Sequence, residues 1–99
     1  MLYVIIGTDV PDSAARRAAA RPRHLERAQQ LAREGRIVVA GPFPAIDAEE
    51  PGPNGHTGSL IVAEFPALSA AEAWIAADPY VTDGVFAHYE VKPFRQVLP

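Results

Sequence analysis

The fold is decided by the segment Arg21-Pro22-Arg23-His24-Leu25 and its continuation, Gly35-Arg36-Ile37-Val38-Val39-Ala40-Gly41-Pro42, in which a helix runs directly into a strand. Gly35 predicts the helix end, because glycine adopts the left-handed conformation of the C′ position without strain. The β-branched run predicts a strand over Arg36–Gly41. Pro22 interrupts the helical pattern, so we expect a short piece over 13–20, with Asp12 or Ser13 as N-cap. A longer piece follows over 22–34, with Pro22 near its first position.

The other elements follow from hydrophobic runs and the residues that bound them. Strands are predicted over Leu2–Gly7, Gly58–Phe65 and Val85–Phe94, the last extended or followed by a short edge piece over 96–98, and a long loop over Pro42–Thr57. A capping box, Ser69-Ala70-Ala71-Glu72, predicts a second helix that runs to about Ala77. The order β-α-β-β-α-β is typical of the ferredoxin-like α+β fold, a four-stranded antiparallel sheet with two helices on one face. We therefore predict one domain over 1–99.

The composition excludes several classes of protein. The chain has 99 residues, 48% of them hydrophobic, which favours a globular domain with its own core. It has no cysteine, hence no disulfide and no thiolate nucleophile, which fits a cytoplasmic location. A formal net charge of −3 argues against nucleic acid as a partner. No run approaches the ~20 apolar residues of a membrane span, and no basic segment precedes the first strand as in a signal peptide.

The predicted strands are apolar on both faces, although two helices cover only one face of a sheet. The first strand offers Leu2, Val4 and Ile6 on one side against Tyr3 and Ile5 on the other. An antiparallel sheet with one wet face alternates apolar and polar residues, and only the fourth strand does so, imperfectly. We therefore expect a homodimer, or a higher oligomer, that buries the second face. The alternative is a loop or the C-terminal tail folded beneath the sheet.

His24 and Asp78 are the candidates for acid–base chemistry. His24 lies on the stripe His24-Ala28-Leu31, on or beside the helix face that packs on the sheet. Asp78 precedes Pro79, so we expect the second helix to end there, where a carboxylate opposes the helix dipole and favours a compensating partner. A His–Asp pair suits general acid–base catalysis, because the carboxylate fixes the imidazole tautomer. The alternatives are a half-buried histidine bonded to a carbonyl group and an Asx-Pro turn.

Other polar residues have weaker patterns. Ser59 could bind a substrate oxygen or complete a Ser-His-Asp set, but no Gly-x-Ser-x-Gly elbow is present, which favours a binding or structural role. The three histidines match no compact metal motif, so no metal is predicted. We expect His56 to be solvated and His88 to lie in the dimer interface. The basic run is a solvated helix face or steers an anionic substrate towards His24; it comprises Arg16, Arg17, Arg21, Arg23 and Arg27.

Taken together, the residues resemble the YciI-like (YCII-related) family over nearly the whole chain. The matching segments are Met1-Leu2-Tyr3-Val4-Ile5, Arg21-Pro22-Arg23-His24-Leu25, Glu34-Gly35-Arg36, Ala40-Gly41-Pro42, Pro44-Ala45, Gly58-Ser59, Ala63-Glu64-Phe65, Ala77-Asp78-Pro79-Tyr80, Gly84-Val85 and Val91-Lys92-Pro93-Phe94. Each match is weak alone, but their common order makes the resemblance specific. It implies a dimeric α+β barrel of ferredoxin-like subunits. It also implies an active site with a histidine, an aspartate and a nearby serine, which correspond to His24, Asp78 and Ser59.

Two functional hypotheses follow. The first is a cofactor-independent enzyme in which His24 is the general base or acid and Asp78 orients it. Substrate binding is then assigned to Ser59, Gly41, Pro42 and Tyr80. The reaction would be elimination, dehydrochlorination or isomerisation of a small anionic molecule. Similar proteins include a dehydrochlorinase of a chlorinated aromatic ring, and the wider superfamily holds muconolactone isomerases and monooxygenases. The second hypothesis is a non-catalytic, ligand-binding or accessory dimeric module.

Overall fold

The computed structural model describes all residues, Met1–Pro99, and its elements form a four-stranded sheet with helices on one face. The strands are β1 (Leu2–Asp9), β2 (Ile37–Pro44), β3 (His56–Glu64) and β4 (Phe86–Phe94). The helices are α1 (Ala14–Arg33), α2 (Leu68–Ala76) and the single turn α3 (Pro79–Thr82). The strands pair antiparallel in the order β2-β3-β1-β4. The predicted ferredoxin-like arrangement is thereby confirmed, with α3 as an element that was not predicted.

The core lies between the helices and one face of the sheet. Along β1, Tyr3 and Ile5 face the helices and pair with Ala63 and Ile61 of β3, and all four are buried. They pack in one cluster with small and branched residues of the helices, such as Ala20, Leu31, Ala71 and Ile75. Because side chains alternate along a strand, the register that buries Tyr3 places Val4 on the opposite face.

Helix α1 is continuous from Ala14 to Arg33, so the predicted break at Pro22 is wrong. Proline costs one backbone hydrogen bond, but its fixed φ is compatible with a helix, and packing against the sheet compensates for that loss. The buried residues of the helix lie on one stripe, on which His24 is partly buried: Arg17, Ala20, Ala28 and Leu31.

The predicted helix end at Gly35 is confirmed. Gly35 has φ +70, its N–H donates to the carbonyl of Ala32, and the N–H of Arg36 donates to the carbonyl of Leu31, both at 3.0 Å. These two bonds form a Schellman motif. At the other end Ser13 occupies the N-cap position, but its hydroxyl makes no cap and donates instead to Asp9, 2.6 Å away.

The predicted capping box at Ser69 is wrong. Helix α2 begins at Leu68, two residues earlier than a cap at Ser69 would place it; its N-cap is Ala67, and no side chain caps it. Extended backbone at Ala67 leads directly from the end of β3 into the helix. The position of the helix start is therefore set by the chain's path from the sheet, not by a side-chain cap.

Strand β2 is longer than predicted, and the predicted loop is shorter. The strand continues through Pro42 and Phe43 to Pro44, and β3 already begins at His56, so residues 45–55 connect them, with a 3-10 turn over Gly52–Asn54. Proline is tolerated here because β2 is an edge strand with one side free of ladder hydrogen bonds. Residues 95–99 add no further strand.

The face of the sheet opposite the helices is apolar over three strands, as predicted. Val4 of β1 pairs with Val62 of β3, which in turn pairs with Val39 of β2, and Val39 is 52% exposed. Only β4 is polar on this face, where Lys92 lies beside Val4. We call the surface formed by Val4, Ile6, Val39, Leu60 and Val62 the open face. No helix of the structure combines the length and the apolar character that crossing a membrane requires.

Candidate functional site

The second helix ends just before Asp78, as predicted, but Asp78 also begins a further helix that was not predicted. Helix α2 ends at Ala76, and Asp78, in extended conformation before Pro79, is the N-cap of α3. Its Oδ2 accepts a hydrogen bond from the backbone N–H of Tyr80 at 3.0 Å. The carboxylate is therefore favourable to the backbone that follows it, because it satisfies an N–H at the start of a helix.

Three donors converge on the Asp78 carboxylate, which is fully buried at 0% exposure. Nδ1 of His24 lies 2.7 Å from Oδ2, and Nη1 of Arg27 donates to Oδ1 at 2.8 Å, in addition to the Tyr80 N–H. Both the predicted imidazole partner and the alternative Asx-type turn are therefore present at Asp78. Because all its other partners are donors, the carboxylate acts as an acceptor, and Nδ1 of His24 carries the proton between them.

The imidazole of His24 is held on two sides. Its ring stacks on that of Tyr80, with centroids 3.8 Å apart and planes within 7°, and Nδ1 is bonded to Asp78. Nε2 has no hydrogen-bond partner. Every fully buried side-chain nitrogen or oxygen of the structure has such a partner, so Nε2 is not fully buried. With the side chain 13% exposed, Nε2 therefore reaches solvent. A fixed ring with one free, accessible nitrogen is the arrangement that proton transfer requires.

Arg27 is a member of this cluster that sequence reasoning placed on a solvated helix face. Its Nη1 donates to Asp78 and also to the carbonyl oxygen of Trp74 at 2.9 Å, and its guanidinium carbon lies 4.5 Å from the centroid of the Trp74 ring. A signal for it existed, since Arg27 follows His24 by three residues and so lies on the same helix face.

A second ionic cluster joins α1 to the sheet. Nε and Nη2 of Arg17 donate to the two oxygens of Asp9 at 2.6 and 3.0 Å, and Nη2 also bonds the Gly58 carbonyl and the Ser59 hydroxyl. Asp9 and Arg17 have side chains only 2% and 10% exposed. The pattern of the sequence did not point to this pair, because the two residues belong to different elements.

The structure does not join Ser59 to His24 by a hydrogen bond. The Ser59 hydroxyl accepts from Nη2 of Arg17 at 2.9 Å, and the residue is 8% exposed. The hydroxyl thus fixes the guanidinium of Arg17. This contact favours the binding or structural role for Ser59 over that of a nucleophile.

A cavity of about 270 Å³ lies beside these clusters. Tyr80 and Pro42, two of the predicted substrate-binding residues, line it, whereas Gly41 does not. His56 also lines it, is partly exposed and has no hydrogen-bond partner in the protein, so its ring nitrogens reach solvent, as expected. Burial raises the pKa of the Tyr80 hydroxyl, with Arg17 and Arg21 acting in the opposite direction. No group of three or more His, Asp or Glu side chains is arranged to hold a metal ion.

Comparison with known proteins places the chain in a family. Residues 1–95 match the model of the YCII-related domain. Protein YciI of Escherichia coli O6:H1 is 54% identical over 98 residues, covering 99% of this chain and all of that protein. An uncharacterized protein of Haemophilus influenzae is 50% identical with the same coverage.

A solved structure shares both the fold and part of the sequence. It is the 5-chloro-2-hydroxyhydroquinone dehydrochlorinase TftG from Burkholderia phenoliruptrix AC1100, in complex with 2,5-dihydroxybenzoquinone. It is 25% identical with a TM-score of 0.83, over 96% of this chain and 94% of that one. The match of residues 1–95 to the YCII-related domain and the 54% identity to protein YciI show that the chain belongs to the YCII-related family.

Proposed function

We propose that this protein is a cofactor-independent enzyme in which His24 transfers a proton and Asp78 orients it. The observation that carries the proposal is the state of the two imidazole nitrogens. Nδ1 lies 2.7 Å from an oxygen of a fully buried carboxylate, which is positioned to accept its proton, while Nε2 is unbonded and accessible. A neutral imidazole held in this tautomer presents its lone pair at Nε2, and the carboxylate stabilises the imidazolium that forms when Nε2 takes a proton.

The reaction class that fits is elimination from a small ring compound. The structural relative TftG is a dehydrochlorinase, which supports the loss of HCl as the reaction to test first. In such a step Nε2 of His24 accepts one proton of the substrate, the electron pair of the broken bond to hydrogen forms a new double bond, and chloride leaves with the electron pair of the carbon–chlorine bond. The Tyr80 ring fixes the imidazole plane by stacking, so that Nε2 keeps its direction during the transfer.

We also propose that the working unit is a homodimer joined through the open face. Val39 is 52% and Phe43 37% exposed on this side of the sheet, beside Val4 and Ile6. A contiguous apolar surface of this kind is rarely left in water, and a second copy offers an identical surface to cover it. Val39→Asp should yield a monomer in sedimentation, whereas Leu68→Asp, the same change at the start of α2, should not. Equal sedimentation of the two variants would contradict this interface.

The enzyme proposal is tested with 5-chloro-2-hydroxyhydroquinone and measurement of released chloride. The wild-type protein should release chloride, and His24→Gln should lose about a hundredfold or more of the rate, since a positioned base contributes that much. Glu26→Gln, an exposed change on the same helix, is the control and should keep the rate. A His24→Gln variant at full rate would refute the base assignment. If the wild-type protein released no chloride, dehydrochlorination would be ruled out and the ligand-binding module favoured.

A further inference from the structure

We infer that the 270 Å³ cavity is the binding site for the charged group of an organic acid, a planar oxyanion such as a carboxylate or a phenolate. His24 itself does not line this cavity, but Tyr80, which stacks on His24, does. The inference names the ligand class of the space beside the proposed acid–base pair and so rests on the proposed function. The residues that support it, chiefly Arg17 and Arg21, have no role in the proposed proton transfer.

The cavity is positive although the protein is negative overall. Of the nine residues that line it, Arg17, Arg21 and His56 are basic, and none is acidic. Asp9 offsets the charge of Arg17 but does not line the cavity. Arg21 forms no hydrogen bond and no ion pair, so its charge is uncompensated. In a chain of formal net charge −3, this concentration of positive charge favours an anionic ligand.

The guanidinium of Arg17 is positioned and partly unused. Its Nε and Nη2 are bonded to Asp9, the Gly58 carbonyl and the Ser59 hydroxyl, which fixes the plane of the group. Nη1 has no hydrogen-bond partner. Because every fully buried side-chain nitrogen has one, Nη1 must be accessible to solvent. A guanidinium fixed by its other bonds binds an anion at little entropic cost, because its rotamer is already selected.

Tyr80 supplies a neutral donor on the same cavity. Its hydroxyl lies within hydrogen-bonding reach of the Arg17 guanidinium, and both residues line the cavity. Burial raises the pKa of Tyr80, so the phenol keeps its proton at neutral pH and donates. The geometry thus offers an oxyanion one guanidinium, one phenol and the free charge of Arg21.

The shape of the cavity favours an organic anion over an inorganic one. Ala14, Arg17, Ala18 and Arg21 lie on one face of α1, and the two alanines leave space that longer side chains would fill. Pro42 and the Tyr80 ring add apolar walls. The volume equals about nine water molecules, which is more than a phosphate ion needs and suits a single-ring acid.

The test uses ligands that do not react, so its result is independent of turnover. Binding of benzoate, benzamide and inorganic phosphate is measured by calorimetry for the wild-type protein, Arg21→Gln and Arg16→Gln. Arg16 is the matched control, because it is an exposed arginine of α1 that makes no ion pair and does not line the cavity. Neither change removes a hydrogen bond or an ion pair of the fold.

We expect benzoate to bind at least tenfold more tightly than benzamide and than phosphate. Arg21→Gln should weaken the binding of benzoate about five- to tenfold, while the affinity of Arg16→Gln for benzoate should stay within about twofold of the wild-type value. An equal loss of benzoate affinity in both variants would show that the ligand responds to the overall positive charge of the helix, and would overturn the site. Phosphate binding as tightly as benzoate would overturn the ligand class. Absence of saturable benzoate binding up to about 20 mM would overturn both. If benzoate binds as expected but no chloride is ever released, the anion site stands and the enzyme proposal fails.

Discussion

Replacing Asp78 by asparagine tests the polar centre of the molecule, because the change keeps the shape and removes the charge. The carboxylate is fully buried and accepts from His24, Arg27 and the Tyr80 N–H. Asparagine has one acceptor oxygen in place of two, so its NH₂ group must face one of these donors. One donor loses its partner, and the Arg27 guanidinium loses its counter-charge inside the protein.

The magnitude follows from burial. Breaking a buried pair by removing one partner costs about 3–5 kcal/mol. The Arg27 side chain is 28% exposed, so water recovers part of that loss, and we expect about 2–4 kcal/mol for Asp78→Asn. For a domain of this size, this lowers Tm by roughly 10–30 °C.

The assay is thermal unfolding at one fixed protein concentration, since association would make Tm concentration-dependent. The matched control is Asp83→Asn, because Asp83 is also ion-paired to an arginine, Arg23, but both side chains are exposed at 39% and 56%. Exposed pairs contribute about 0–1 kcal/mol, so the control should shift Tm little. If the two variants unfolded at the same temperature, burial of the Asp78 carboxylate would not make its loss costlier than the loss of an exposed one, which would refute the estimate.

Two further predictions concern the sheet and the cavity. Gly58→Ala should destabilise the fold strongly, since the new Cβ would lie 2.1 Å from the carbonyl oxygen of Gly7. Gly41→Ala should be tolerated, because no atom lies within 4 Å of the position of its new Cβ. Denaturant titration of the two variants compares their free energies of unfolding. Burial raises the pKa of Tyr80, so the unfolded state loses this proton at a lower pH than the folded state does. Stability should therefore fall as pH rises above about 10. Tyr80→Phe should flatten the fall in Tm between about pH 9 and 11.

The boundaries that sequence reasoning missed share a cause. Pro22 predicts a break from local propensity, but packing of α1 along its whole length on the sheet outweighs one missing hydrogen bond. Likewise Pro42 predicts the end of a strand, but β2 lies at the edge of the sheet, where a missing N–H is harmless. Whether a proline breaks an element depends on what lies beside it, which the local sequence does not contain.

The candidate site divides in the same way. His24 and Asp78 were predicted as partners from residue type and position, and the structure places their side chains 2.7 Å apart. Arg17 was assigned to a solvated face, but it is buried against Asp9 and Ser59. A helix rich in alanine and arginine gives only a weak hydrophobic stripe, so its sequence does not tell which arginines face inward.

The sequence by itself determined the order of the strands and helices, the glycine that ends α1 and the apolar character of the open face. These features depend on periodicity and backbone preference, which act over a few neighbouring residues. Only the tertiary structure decided that the Asp78 carboxylate is buried beside His24, that Arg27 joins it and that Arg17 borders a cavity. The contacts concerned join residues 41 to 54 positions apart, and their distances depend on how the helices dock on the sheet.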